Sequence, residues 1–182
     1  MDISIRESGI RDVTIRRCAA SDAPALELVG RASFLETYAG VLQAADILAF
    51  CETEHAAARY ADWLARQDYR LWIAEAAAGR APVGYAVVSP PDLPVPTGEG
   101  DLELKRIYTL HRLHGSGLGR RLLDAALEGA RQAGARRLLL GVFGGNDRAK
   151  AFYARQGFTQ AGVRRFQVGA NAYDDLVLAR TL

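Results

Sequence analysis

Lys105-Arg106-Ile107-Tyr108-Thr109-Leu110-His111-Arg112-Leu113-His114-Gly115-Ser116-Gly117-Leu118-Gly119-Arg120-Arg121-Leu122-Leu123 is the stretch on which the fold of this chain turns. Its first half reads as a strand, followed by a short basic turn and a glycine-rich bend. A helix then starts at once. The start of a helix presents unpaired backbone N–H groups and the positive end of the helix dipole. Glycines at 115, 117 and 119 bring those N–H groups close to a ligand with no Cβ between. His114, Arg120 and Arg121 add side-chain donors or positive charge. Such an arrangement suits a polyanion such as the diphosphate of a nucleotide-bearing cofactor.

Three kinds of glycine-rich bend fit this description in outline. A Walker A loop ends in Gly-Lys-Ser/Thr, whereas Gly119 is followed by Arg120 and Arg121. A dinucleotide-binding fingerprint needs a longer glycine spacing and an acid near the end of the next strand. The next strand, Arg137 to Phe143, runs into Gly144-Gly145-Asn146 without one. The third kind belongs to the GNAT superfamily of N-acetyltransferases, whose turn is Gln/Arg-x-x-Gly-x-Gly/Ala. Residues 114 to 119 resemble it, with His114 where Gln or Arg is usual. A second block, Asn146-Asp147-Arg148-Ala149-Lys150-Ala151-Phe152-Tyr153-Ala154-Arg155-Gln156-Gly157-Phe158, resembles that superfamily's Asn-x-x-Ala-x-x-Phe-Tyr-x-x-x-Gly-Phe. Read locally, Asn146 caps a helix and Ala149, Phe152 and Tyr153 share one face. Gly157 stops the helix in the left-handed conformation. The two blocks in this order, joined by one strand, are far more specific than either alone.

Further segments are similar to the bacterial spermidine/spermine acetyltransferase branch. They are Leu102 to Tyr108, Leu140-Gly141-Val142-Phe143, Phe34-Leu35-Glu36-Thr37-Tyr38 and Tyr173-Asp174-Asp175-Leu176. This resemblance implies one α/β domain over residues 1–182, residues 1–12 being a flexible extension. It also implies a mixed, mostly antiparallel sheet of about seven strands flanked by helices. The implied activity is transfer of the acetyl group of acetyl-CoA to a primary amine, a small polyamine first. A protein N-terminus, a lysine side chain or another small amine stays open as acceptor. So does a non-catalytic acetyl-CoA-binding module.

The same resemblance assigns roles. Ile107, Tyr108 and Thr109 offer backbone groups to the pantetheine arm. His114, Gly115, Ser116, Gly117, Leu118, Gly119 and Arg120 take the diphosphate, and Asn146 touches the cofactor. Tyr153 is the general acid beside the sulfur, its phenol protonated at neutral pH. Glu103 is the candidate base, reached through a water. Glu36, Glu103, Asp174 and Asp175 are candidates for the distal ammonium groups of a polyamine, with Tyr38 and Trp72 for cation–π contact.

Composition agrees with an ordinary soluble domain. The chain has 182 residues, 49% hydrophobic and 24% charged, with a formal net charge of +2 that is too small to argue for nucleic acid. Cys18 and Cys51 lack CxxC or histidine neighbours, so neither a disulfide framework nor a zinc site is supported. His111 and His114 have no third ligand spaced to join them, and no metal is expected. His55 stands alone. No run is long and apolar enough for a bilayer, and the start lacks a signal-peptide core. The cytoplasm is the default location, and a homodimer is compatible with the reading.

Local patterns give the remaining elements. Val13 to Cys18 reads as a strand, and Ser21-Asp22-Ala23-Pro24 as a capped helix start. That helix is expected to bury Ala25, Leu28, Val29 and Ala32, and Phe34 to Gly40 to be a loop. Leu42 to Arg66 reads as helical, broken near Cys51 to Thr53, with Ile47, Leu48, Phe50, Ala57, Tyr60, Ala61 and Leu64 inward. Tyr69–Glu75 and Val83–Val88 read as a hairpin. The proline-rich stretch 89–100 reads as a surface loop beside the acceptor or as a passive linker. Leu102 to Leu110 is the central strand, Arg120 to Ala133 a helix, and Ala135 to Phe143 a strand buried on both faces. Phe158–Val168 and Ala172–Leu182 close the sheet around Gly169-Ala170-Asn171.

Overall fold

The computed structural model describes residues 12–168 and 171–182. The extension expected over residues 1–12 and the turn at Gly169-Ala170 therefore fall outside the described residues, Asp12 apart. Seven strands form one open sheet: β1 (Val13–Arg17), β2 (Arg70–Ala76), β3 (Pro82–Ser89), β4 (Asp101–Thr109), β5 (Arg137–Phe143), β6 (Thr159–Val168) and β7 (Asn171–Thr181). Their order is β1-β2-β3-β4-β5-β7-β6. Every neighbouring pair is antiparallel except β4 and β5. Five α-helices are described: α1 (Ala23–Tyr38), α2 (Ala44–Thr53), α3 (Ala57–Ala65), α4 (Leu118–Gln132) and α5 (Asp147–Arg155).

The two-residue period of the strands sorts side chains to opposite faces. Trp72, Ala74, Ala86 and Val88 pack with Leu122, Leu123, Ala126, Leu127 and Ala130 of α4. Leu71, Ile73, Tyr85 and Val87 pack against Leu26 and Val29 of α1 and Tyr60 and Trp63 of α3. Leu138 and Leu140 join the first cluster while Leu139 faces Leu93 and Val177, so β5 is covered on both sides as its apolar run predicts. All five apolar positions expected of α4 are buried.

The amino-terminal half departs from the sequence reading. Residues Phe34 to Tyr38 continue α1 rather than forming a loop. The buried stripe of α1 is Ala23, Leu26, Val29, Gly30, Ser33 and Phe34, and Leu28 is exposed. The weak apolar contrast of this helix made its inward face hard to read. Asp22 takes the N-cap position of α1 with Pro24 following, as expected, but its carboxylate turns back to accept from Ala19 N and Arg16 instead of bonding the first turn. The break between α2 and α3 lies at Glu54-His55-Ala56 rather than at Cys51 to Thr53. Thr53 does not cap α3, because its hydroxyl donates back to Ala49 O within α2. Leu48 and Ala61 face solvent, and Trp63 is the buried aromatic the reading left out.

Two irregularities prepare a site. The parallel pairing of β4 with β5 covers only Asp101–Glu103 against Arg137–Leu139, so the strands part beyond it. The β3–β4 register also slips: Val87 faces Arg106 and Val88 faces Leu104, which leaves Lys105 as an extra residue in β4. A bulge of this kind re-aims the side chains that follow it.

Candidate active site

The parting of β4 from β5 opens a groove of about 570 Å³. Ile107, Tyr108 and Thr109 line one wall, Gly141, Val142 and Phe143 the other. Past Glu103 the β4 edge facing β5 has no strand partner among the described residues, so backbone groups there can meet amides of a bound chain, although the Thr109 backbone also bonds His114. The glycine-rich turn closes one end. Gly117 is the N-cap of α4 with φ 84°, and a Cβ added there meets no atom within 4 Å. His114, Gly115, Gly117, Gly119 and Arg120 line the groove. Ser116 and Leu118 do not: the Ser116 hydroxyl donates to Leu113 O at 2.6 Å, and Leu118 is buried under α4. Both serve the shape of the turn.

Asn146 lines the groove while its side chain accepts from Ala149 N at 3.0 Å, capping α5. Tyr153 lies about two turns further along α5 on the same face, 8% exposed, and no described residue hydrogen-bonds its hydroxyl. Burial, with Tyr108 nearby, pushes the Tyr153 phenol well above its ordinary value. It stays protonated across the physiological range, as a proton donor must. One contributor was missed by sequence reasoning. The Arg148 guanidinium lies against the His114 ring, and both line the groove. Burial first, then Arg148 and His111, lower the His114 pKa. The lasting cation at this corner is thus Arg148, inside the second sequence block but without a local pattern to single it out.

A second cavity of about 750 Å³ meets the groove at Tyr38, Tyr108, Gly141 and Phe143, which line both. The Tyr108 charge first, then burial, push the Tyr38 phenol up; burial raises Tyr108, and its hydrogen bond with Tyr38 opposes that shift without reversing it. Lys105 lies on the side of Glu103 by alternation, and the bulge there turns Arg106 and Tyr108 to that side too, so all four line this cavity. Glu103 is 3% exposed and accepts from Asp92 N at 2.8 Å, with Lys105 at 3.9 Å. Asp92 and Pro94 bring the proline-rich loop to the cavity wall. Asp175 is buried, and Arg164 donates to it from Nε and Nη2. Burial raises the Asp175 pKa and the Arg164 charge opposes that shift.

Three sequence candidates lie elsewhere. Trp72 faces α4, because alternation in β2 sends it opposite to Leu71 and Ile73; Arg17 stacks on its ring there. Glu36 is bound to His111 N at 2.8 Å. As α1 is helical through Tyr38, Glu36 sits about 200° around the axis from Tyr38 and outside the cavity. Asp174 is exposed, 3.8 Å from Arg165. Conversely, His55, Arg106 and Trp63 line the cavity without having been singled out. The lone His55 is 1% exposed, with Nδ1 2.8 Å from the Tyr60 hydroxyl. Among the described residues no group of three or more His, Cys, Asp or Glu is placed to hold a metal, and no helix is long and apolar enough to cross a membrane.

The arrangement has relatives. A model of the acetyltransferase (GNAT) family matches residues 35–158. An uncharacterized N-acetyltransferase of Mycobacterium tuberculosis is 33% identical over 162 residues, 89% of this chain and 99% of that protein. The crystal structure of a PaiA N-acetyltransferase from Thermoplasma acidophilum, in complex with coenzyme A, superposes with a TM-score of 0.75 at 20% identity. It covers 94% of this chain and 99% of its own. A ribosomal-protein-alanine N-acetyltransferase from Brucella melitensis gives 0.69 at 26% identity, over 93% and 99%.

Proposed function

Since this chain belongs to the GNAT family of acetyltransferases and takes acetyl-CoA as cosubstrate, we propose that it acetylates the primary amine of a small molecule held in the 750 Å³ cavity. The observation carrying this reading is the junction: among the described residues, groove and cavity meet where Tyr38, Tyr108, Gly141 and Phe143 line both. An amine in one thereby comes face to face with a thioester in the other, and such positioning supplies much of the rate. We further assign the enzyme to one domain spanning residues 1–182, acting in the cytoplasm.

Each group then has a task. Acetyl-CoA supplies the activated acyl group. The unpaired edge of β4 at Ile107, Tyr108 and Thr109 orients the pantetheine arm and offers a donor to the developing oxyanion. The N–H groups at Gly115 to Gly119, with Arg120 and Arg148, hold the diphosphate. Tyr153 protonates the departing sulfur. The ammonium proton leaves to a carboxylate, Asp175 or Glu103. The Asp175 charge bears on both Tyr38 and Tyr108, which line the junction, and this supports Asp175.

A polyamine such as spermidine or spermine is the acceptor that the resemblance suggested, with Glu103, Asp175 and Tyr38 to receive it. Those carboxylates are already engaged: Glu103 beside Lys105, Asp175 with Arg164. Thiol release from acetyl-CoA over polyamines, amino acids, aminoglycosides and peptides with free N-termini tests the assignment. Absence of acceptor-dependent release across every class would reject the small-amine reading. A polyamine rate no better than that of a monoamine, insensitive to salt, would reject the polyamine alone.

A further inference from the structure

The charges lining the acceptor cavity are unevenly placed. Six are cationic (Arg59, Arg66, Lys105, Arg106, Arg164, Arg165) and four anionic (Glu54, Asp92, Glu103, Asp175). At the sheet end Lys105, Arg164 and Arg165 are balanced by Asp92, Glu103 and Asp175. At the α3 end three guanidiniums, Arg59, Arg66 and Arg106, face two carboxylates, Glu54 and Asp68. Of these two only Glu54 lines the cavity, and its oxygens are divided between Arg59 at 2.9 Å and Arg106 at 3.1 Å.

This excess charge is also held in place. Arg106 lies 4.6 Å over the Trp63 ring, Trp63 stacks on Tyr69 at 5.4 Å, and Arg66 lies 4.5 Å over Tyr69. All four line the cavity, so a guanidinium–indole–phenol–guanidinium column forms one wall. Arg106 is fixed further by donating to Glu54 O and the Tyr60 hydroxyl. Arg66 already shows how this wall takes a planar oxyanion, giving Nε and Nη2 to the two oxygens of the half-exposed Asp68 at 2.9 and 2.7 Å, an exchangeable surface pair that a bound carboxylate would compete with. A polycation placed here meets like charge. An amine carrying an anion meets opposite charge at the α3 end while its nitrogen reaches the Tyr38–Tyr108 junction.

Building on the acetyltransferase reading above, we propose that the acceptor is a primary amine that also carries a carboxylate or comparable oxyanion, and that the Arg59, Arg66 and Arg106 wall of the cavity selects it. Arg59 and Arg66 set the preference by charge and reach, Arg106 by its buried, ordered position.

The test uses matched probes: α-amino acids and ω-amino acids of increasing length, each against its own carboxamide, with the diamine of equal length added for the ω series. The expected result is at least a tenfold higher kcat/KM for some carboxylate than for its amide, residing in KM and shrinking with added salt. In Arg59→Gln/Arg66→Gln, whose altered side chains lie on a partly exposed surface, that preference falls several-fold while acetyl-CoA affinity is retained. Calorimetric titration of the same pairs into the CoA complex is read alongside, so that slow acceptors also count. Amides or diamines that match or exceed every carboxylate in both measurements overturn the proposal, as does a preference unchanged in the double variant. Failure to bind acetyl-CoA would instead count against the acetyltransferase reading beneath it, and the titration distinguishes the two.

Discussion

Replacing Gly117 by alanine separates a ligand-contacting glycine from a merely turning one. Gly117 has φ 84° and no atom within 4 Å of an added Cβ, so the cost to the free protein is backbone strain alone. A left-handed L-residue costs about 1–2 kcal/mol. For a chain of this size that lowers Tm by roughly 2–8 °C. Gly79, in the β2–β3 turn, has φ 74°, is equally open and lines neither cavity, so Gly79→Ala should lose a similar amount. Only at Gly117 does the new methyl point where an anion must approach backbone N–H groups. Losing one charge-assisted bond there is worth roughly 1.5–3 kcal/mol, about 10- to 100-fold in Kd. Calorimetric titration of CoA into both variants, below both Tm values, measures the contrast. If Gly117→Ala binds CoA as tightly as Gly79→Ala, the diphosphate does not sit on this turn.

Tyr153→Phe keeps the ring packing and removes the phenol, so turnover should fall ~10²-fold or more with CoA affinity little changed; normal turnover in a stable variant removes Tyr153 from the acid role. Arg148→Ala should weaken CoA binding several-fold and flatten its salt dependence, whereas His114→Ala should do less, since burial and Arg148 keep His114 neutral; equal salt slopes in Arg148→Ala and the unmodified protein would contradict this. His55, held by burial and by Arg106 and Arg31 at about 2, far below its unfolded value, keeps no proton while the unfolded chain gains one below about pH 6.5. Its contribution is present above that pH and is lost as pH falls, by about 1.4 kcal/mol per unit; urea melts from pH 7 to 5 should show a shallower loss in His55→Gln. Gly30→Ala should destabilise by about 1–3 kcal/mol, because a Cβ would stand 2.6 Å from His55 Nδ1 and 2.5 Å from the Tyr60 hydroxyl; a Tm equal to the parent would show that this buried pair yields.

The sequence by itself determined the carboxyl-terminal two-thirds of the fold and the glycine-rich turn that closes the groove. There the signals are local: glycines before a strongly amphipathic α4, an Asn cap on α5, and an apolar run in β5. Each acts within a few residues and needs no distant partner. The resemblance added Tyr153, which no periodicity could distinguish from core. Tertiary structure decided the acceptor side. Whether Trp72 faces the cavity or α4 depends on which sheet face each helix covers. Whether Arg106 points inward depends on one extra residue in β4, a slip set by pairing with β3 that shifts the alternation of every side chain after it. Charge balance is equally non-local: Glu54, Arg59 and Arg66 come from α3 and its flanks and Arg106 from β4, and only their assembly makes the α3 end of the cavity cationic. Electrostatic selection is a sum over neighbours in space, and a linear chain does not list those neighbours.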